Sequence, residues 1–146
     1  DKKIVTENIE KNLEHIATAK ALNLPVSTKQ SREIAGFIRN RTVDQAKKLL
    51  AQVLAHKIAV PFRRFNRDTG HKRGKIAAGR YPEKAIKEFI KLINLVIANA
   101  ENKGLDSKNL ILFDVRANQG THQFHYGRQR GVKMKHTHIE IGVREK

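Results

Sequence analysis

Apolar residues recur at three- and four-residue steps most regularly between Pro82 and Gly104, where Ile86, Phe89, Ile90, Ile93, Val96, Ile97 and Ala100 share one face. A helix is predicted there. Pro82 suits its first turn, Glu83 complements the dipole at that end, and Gly104 stands where a left-handed C-terminal cap belongs. Its net charge is small, so its work is core packing. Two shorter helices are predicted before it. Ser27-Thr28-Lys29-Gln30 has a hydroxyl at the N-cap and a Gln three places on, followed by Ile34, Ala35 and Ile38 on one face, with an end near Asn40. Thr42-Val43-Asp44-Gln45 repeats the pattern, and Val43, Ala46, Leu49, Leu50, Val53 and Leu54 form the next stripe.

Strict alternation marks two strands. Ile111, Phe113, Val115 and Ala117 alternate with Leu112, Asp114 and Arg116; Ile139, Ile141 and Val143 alternate with His138, Glu140 and Gly142. Antiparallel pairing of the two is expected, with a third strand from around Ala19 to Val26. The opening stretch, Asp1 to Leu22, is open to either reading: Ile9, Leu13 and Ile16 have helical spacing, yet Ile16 to Ala21 could enter a strand. At 146 residues the chain is expected to form a single α+β domain.

Two segments fit no periodic pattern. His56 to Arg80 holds eight Lys and Arg against the single acid Asp68, with Gly70, Gly74 and Gly79 breaking any element. Asn118 to Thr137 has three glycines, Arg128, Arg130, Lys133 and Lys135, and no acidic side chain. As a continuation of the two flanking strands it is an extended, protruding β-hairpin: each ten-residue arm reaches about 33 Å. The radius of gyration of a domain this size is only about 15 Å. Such an arm is expected to be mobile when free and fixed by a surrounding polyanion.

Charge names the class of that polyanion. Thirty Lys and Arg against fourteen Asp and Glu leave +16, which repels itself in a compact chain. No predicted helix joins a basic face to a bulky aromatic one, and the apolar stretches are too short to span a bilayer, so nucleic acid is favoured over membrane. Aromatics are sparse, with no paired strand platform for reading single-stranded bases; recognition of RNA shape and backbone is expected, with Phe62, Phe65, Phe124 and Tyr126 available for occasional stacking. Cysteine is absent, which excludes disulfides, Cys-ligated zinc and thiol nucleophiles. No signal-like start is visible, and an intracellular location is expected.

The sharpest enzymatic alternative uses His136 and His138, two apart on one strand face, with His122 and His125 across the hairpin, as a metal site. No carboxylate pair completes a catalytic set, and Ser27 and Thr42 serve better as caps than as nucleophiles. No cofactor and no metal are expected. Candidate RNA contacts are Lys29, Arg32, Arg39 and Arg41 on the first helical corner. In the long loop they are Arg63, Arg64, Arg67, His71, Lys72, Arg73, Lys75 and Arg80. Arg116 on the strand and Arg128, Arg130, Lys133 and Lys135 on the arm complete the set. A free-standing RNA-binding regulator or chaperone would have the same charge.

Several runs together resemble the large-subunit ribosomal protein family numbered twenty-two in bacteria and seventeen in eukaryotes, in its archaeal branch. They are STKQSREIAGFIRNRTVDQA from Ser27, VPFRRFNRDTGHKRG from Val60, GRYPEKA from Gly79, ANAENKGLD from Ala98 and HTHIEI from His136. The resemblance covers roughly residues 15 to 144. It implies three helices packed on a small three-stranded sheet, and a structural role in the cytoplasmic ribosome without catalysis. The implied partners are large-subunit ribosomal RNA, neighbouring ribosomal proteins and the nascent peptide. It also implies that the hairpin tip reaches the peptide exit tunnel; the positions concerned are His122, Gln123, Phe124, His125, Tyr126, Gly127, Arg128, Gln129 and Arg130. The family's usual Arg-Ala-x-Gly-Arg-Ala run on the second arm is here Phe124-His125-Tyr126-Gly127-Arg128-Gln129, in which Gly127 and Arg128 hold. Thr28 stands where Pro is common, and Asn40 where Gly is common.

Overall fold

The computed structural model describes residues 15–146, in the order β1 (Ile16–Leu24), α1 (Thr28–Ile38), α2 (Val43–Leu54), β2 (Val60–Pro61), β3 (Gly79–Arg80), α3 (Glu83–Asn102), β4 (Leu110–Gln119) and β5 (Thr137–Glu145). The spacing of Ile9 and Leu13 lies outside the described residues. Ile16 to Ala21 falls in a strand, and that strand begins and ends slightly earlier than expected.

The main sheet has the order β1-β5-β4, antiparallel throughout, with β5 in the centre. One face carries Ala17, Ala19, Ile139, Ile141 and Val143 into the core. On β4 the expected alternation is half out of phase. Leu110 and Leu112 are buried, and then Val115 and Ala117, because the register shifts between Leu112 and Asp114. A bulge adds one residue and turns the following side chains to the other face. Ile111 and Phe113, expected inside, are therefore only half-buried, and Phe113 lies on the outer face beneath Arg144, whose guanidinium is 5.9 Å from the ring centre.

Three helices cover the inner face, as the α+β reading expects: α1 packs on β4, α3 on β1, and α2 on α3. The stripe of α3 buries Ile86, Phe89, Ile93, Val96 and Ala100 almost completely. Each large side chain so buried contributes about 1.5–3 kcal/mol. The helix ends as Gly104 dictates: at φ 76 its N–H bonds to the Glu101 carbonyl, and Leu105 N–H bonds to Ala100. That is a Schellman end, closed by the nearly buried Leu105. Asn40 ends α1 at φ 61, as expected of Asn.

At α2 the full capping box forms between Thr42 and Gln45. At α1 it does not. Ser27 occupies the N-cap but its hydroxyl makes no capping bond. The start of α1 is tied down instead by Thr28, whose hydroxyl lies 2.8 Å from that of the buried Thr137; Thr137 in turn donates to the Val26 carbonyl.

Both outer edges of the sheet are occupied. Asn99 and Lys103 of α3 donate to the β1 carbonyls of Thr18 and Ile16. On the β4 side, Asn40 N–H and Arg41 C=O bond to Leu112, and the guanidinium groups of Arg39 and Arg32 donate to the carbonyls of Val115 and Ala117. Unpaired strand edges are thereby given partners from helices next to them.

Candidate nucleic-acid interface

The loop from His56 to Arg80, expected to hold no regular element, contains short pairings. Val60–Pro61 pairs with Gly79–Arg80, His71 bridges to Ala78, and Lys72 N–H bonds to the Ala77 carbonyl. Two-residue strands are too short to leave an alternation in the sequence. The loop also sends Val60 and Phe62 into the core and leaves Phe65 half-buried against it. Phe62 is therefore an anchor and not a stacking surface, contrary to expectation, and Arg80 lies over its ring at 5.5 Å.

The residue that fixes the loop is one that pattern reading passed over. Glu33 on α1 is 8% exposed, and its carboxylate accepts three backbone N–H groups: Arg63 at 3.2 Å, Arg64 at 2.8 Å and Phe65 at 2.7 Å. Successive N–H groups converging on one carboxylate form an anion nest, with charge-assisted bonds roughly twice as strong as neutral ones. One signal was available: Glu33 is the only acid between Glu14 and Asp44. At the other end of the loop, His56 takes the left-handed position after α2 (φ 57), its imidazole 3.0 Å from the Glu83 carboxylate and 4.7 Å from the Tyr81 ring.

With its backbone so held, the loop presents its cations outward. Arg63, Arg64, Arg67, His71, Arg73, Lys75 and Arg80 are exposed, and Lys72 is half-buried, 5.2 Å from the Tyr81 ring centre. Lys29, Arg32, Arg39 and Arg41 on the α1 corner are also exposed. Among the described residues none of these loop or corner side chains forms an ion pair with an acid. Arg39 and Arg32 each use one nitrogen on the β4 edge, and Arg41 uses Nε on the Phe37 carbonyl, which fixes the planes of their remaining donors. Between them lies Gly36, exposed in the middle of α1 with nothing within 4 Å of where a Cβ would sit. An interior helical glycine is less stable than Ala by about 0.5–1 kcal/mol, and the open space at its Cβ position leaves no packing demand among the described residues to account for it.

Arg116 is committed differently. Its Nε bonds to Asp114 at 2.8 Å, and it stands opposite Glu140, which also meets Lys20 from β1. The Lys20 hydrogen bond first, then the charges of Lys20, Arg116 and His138, hold the Glu140 carboxyl below the usual carboxylate range against an opposing effect of burial.

The regular strands end at Gln119 and Thr137, short of the continuous hairpin expected, and beyond them only scattered backbone bonds and one bridge, between Phe124 and Lys133, join the two arms. Gly120 N–H bonds to His136, Met134 N–H to Gln123 and His125 N–H to Val132, and a turn of 3-10 helix at Gly127–Gln129 closes the end. The first of these pairs needs glycine, since a Cβ on Gly120 would sit 2.9 Å from the Asn23 side-chain oxygen and 3.2 Å from the His136 backbone. No residue from Asn118 to His136 is buried; Phe124 is 61% exposed and Tyr126 84%. Arg128, Arg130, Lys133 and Lys135 are all exposed, without an acidic partner among the described residues.

The histidines do not gather as a metal site would require. His136 Nδ1 bonds to the Asn23 carbonyl, and His138 Nδ1 accepts from the Asn23 N–H, so both clasp the irregularity in β1. The Nε2 atoms of His122 and His136 lack partners, but among the described residues no three His, Cys, Asp or Glu side chains are grouped to hold an ion. Among the described residues no helix is long and apolar enough to cross a membrane.

Comparison with known proteins supplies a family. The family model described as ribosomal protein L22p/L17e matches residues 19–144. The large ribosomal subunit protein uL22 of Methanoculleus marisnigri is 52% identical over 109 residues, covering 73% of this chain and 71% of that protein. The protein of the same name from Methanoregula boonei is 44% identical over 140 residues, covering 90% of this chain and 91% of its own length. That of Nanoarchaeum equitans is 42% identical over 143 residues, covering 92% and 81%. All are archaeal. With the match running from β1 almost to the end of β5, this chain belongs to the ribosomal protein L22p/L17e family.

Proposed function

We propose that this chain is a structural constituent of the large ribosomal subunit in the cytoplasm, and that it binds large-subunit ribosomal RNA through the α1 corner, the ordered loop and the hairpin. It is not an enzyme. The observation that carries the reading is the hairpin: it is acid-free, paired by its backbone, and contributes no buried side chain between Asn118 and His136. A segment that gains nothing from its own core is ordered by what surrounds it, and four cations without an acidic partner among the described residues select phosphate.

Fully extended, the eight residues from Asn118 to His125 would reach at most about 26 Å at about 3.3 Å per residue. That is enough to carry the tip, His122 to Arg130, through a layer of RNA to the nascent-peptide exit tunnel. Phe124 and Tyr126 would then meet unstacked bases or the peptide itself. Neighbouring ribosomal proteins are the further partners.

The test is the location of the tagged chain and its salt response. Nearly all copies should sediment with the large subunit, and affinity for isolated large-subunit RNA should fall by orders of magnitude between about 50 and 200 mM salt. A substantial pool away from the subunit would favour a free-standing regulator, and a flat salt response would overturn the phosphate-based reading.

A further inference from the structure

Three surface depressions on the loop side of the domain share their rims. The first, of 660 Å³, is lined by the loop's Lys57, Lys72, Arg73 and Lys75. The second, of 620 Å³, lies over the α1 corner, and it shares Phe37, Arg41, Pro61 and Arg63 with the first. The third, of 300 Å³, holds Arg32, Arg64, Arg116 and Asn118 at the root of the hairpin, and it shares Glu33, Gly36 and Arg39 with the second. Among the described residues Glu33 is the one acid lining any of the three, and its carboxylate is already engaged by three backbone N–H groups.

We propose that the three depressions form one continuous track for a single strand of ribosomal RNA backbone, which enters at the loop, crosses α1 at Gly36 and leaves at the root of the hairpin. The inference rests on the RNA-binding reading above and adds a path to it. Gly36 lines both the second and the third depression. Any side chain there would rise into open space, since nothing lies within 4 Å of its Cβ position. Glycine in such a place permits close approach of an external backbone.

The cations on either side suit a phosphodiester chain. Arg39 and Arg32 are each fastened by one nitrogen to β4, so their other donors are pre-oriented. Ten Lys and Arg line the track from end to end. An RNA strand supplies an unbroken row of negative charge to match them. An acidic protein segment would need an equally unbroken run of carboxylates.

The experiment compares the full chain with Gly36→Gln and Gly36→Ala, using large-subunit ribosomal RNA transcribed from Methanoculleus marisnigri. Gly36→Gln should bind about tenfold more weakly or worse at fixed salt, with Gly36→Ala between it and wild type. Both variants should keep or raise the melting temperature, because the added atoms meet nothing in the fold. Hydroxyl-radical footprinting should show a contiguous run of riboses protected by wild type and re-exposed with Gly36→Gln.

Unchanged affinity and protection with Gly36→Gln would overturn the track, and if wild type still shows its steep salt dependence the RNA-binding reading survives that failure. A salt-insensitive wild type would instead overturn the reading itself. A lowered melting temperature would show that Gly36 serves the fold and would also overturn the track. So would loss of poly-glutamate binding in Gly36→Gln with RNA affinity intact, which would point to an acidic protein partner.

Discussion

The loop from His56 to Arg80 and the hairpin from Asn118 to Thr137 are both strongly basic, and both lack periodicity, yet they hold their shape by opposite means. The loop is nailed to the body by Val60, Phe62 and the Glu33 carboxylate, and its cations ride on a backbone the protein itself has fixed. Beyond its root, where His136 bonds to Asn23 and the buried Thr137 bonds to Thr28 and Val26, the hairpin is held among the described residues by backbone bonds, and its two large aromatics face outward. A shared positive sign thus conceals different energetics: the loop brings a preformed surface to its partner, while the hairpin must draw its order from the partner.

The widest gap between the two should appear at one residue type. Phe62→Ala in the loop is expected to cost about 3–5 kcal/mol of folding free energy, and Phe124→Ala in the hairpin about 0.5 kcal/mol or less, in urea denaturation. Similar losses at both positions would break the comparison. Glu33→Gln should follow at about 2 kcal/mol, since an amide offers one acceptor oxygen to three N–H groups. Amide exchange at Arg64 and Phe65 should then approach the fast exchange expected at Gln123 and Met134 in the free protein.

Replacing residues 121–135 with an Asn-Gly turn should change stability by about 1 kcal/mol or less while weakening RNA binding, because none of those residues is buried. A truncated chain that failed to fold would show the arm to be part of the core. The smallest effect belongs to the control surface, away from both regions. Glu140→Gln should cost about 0.5 kcal/mol at neutral pH, as a partly exposed pair. The folded carboxyl lies below its ordinary value, so its contribution is complete above the ordinary carboxylate range and disappears as pH falls through the folded value. Wild type and variant should therefore converge in acid.

Much of the architecture was legible because its signals are local and repeated. Twenty residues of α3 carry the helical period, the Thr42–Gln45 box and the left-handed Asn40 are short-range chemistry, and β5 alternates cleanly. What escaped was non-local. The β4 bulge displaces the apolar phase by one residue, which strict alternation cannot represent. Ser27 looked like a cap, but the link between Thr28 and Thr137, 109 positions away, does the fastening. Glu33 reaches 30 to 32 positions ahead to organise the loop, and no periodic pattern encodes such a partner. For the interface, the arginine positions were legible as charge. Their tethering to β4 and the gap at Gly36 arise only in the folded chain.

The clothing of both sheet borders has a consequence before any RNA is met. A newly made copy waits in solution beside identical copies, and bare strand margins would let them zip together into stacked fibrils. Asn99, Lys103, Arg32 and Arg39 already occupy carbonyls along those margins. Three of those four also carry positive charge, so the groups that deny a second copy its foothold push it away as well.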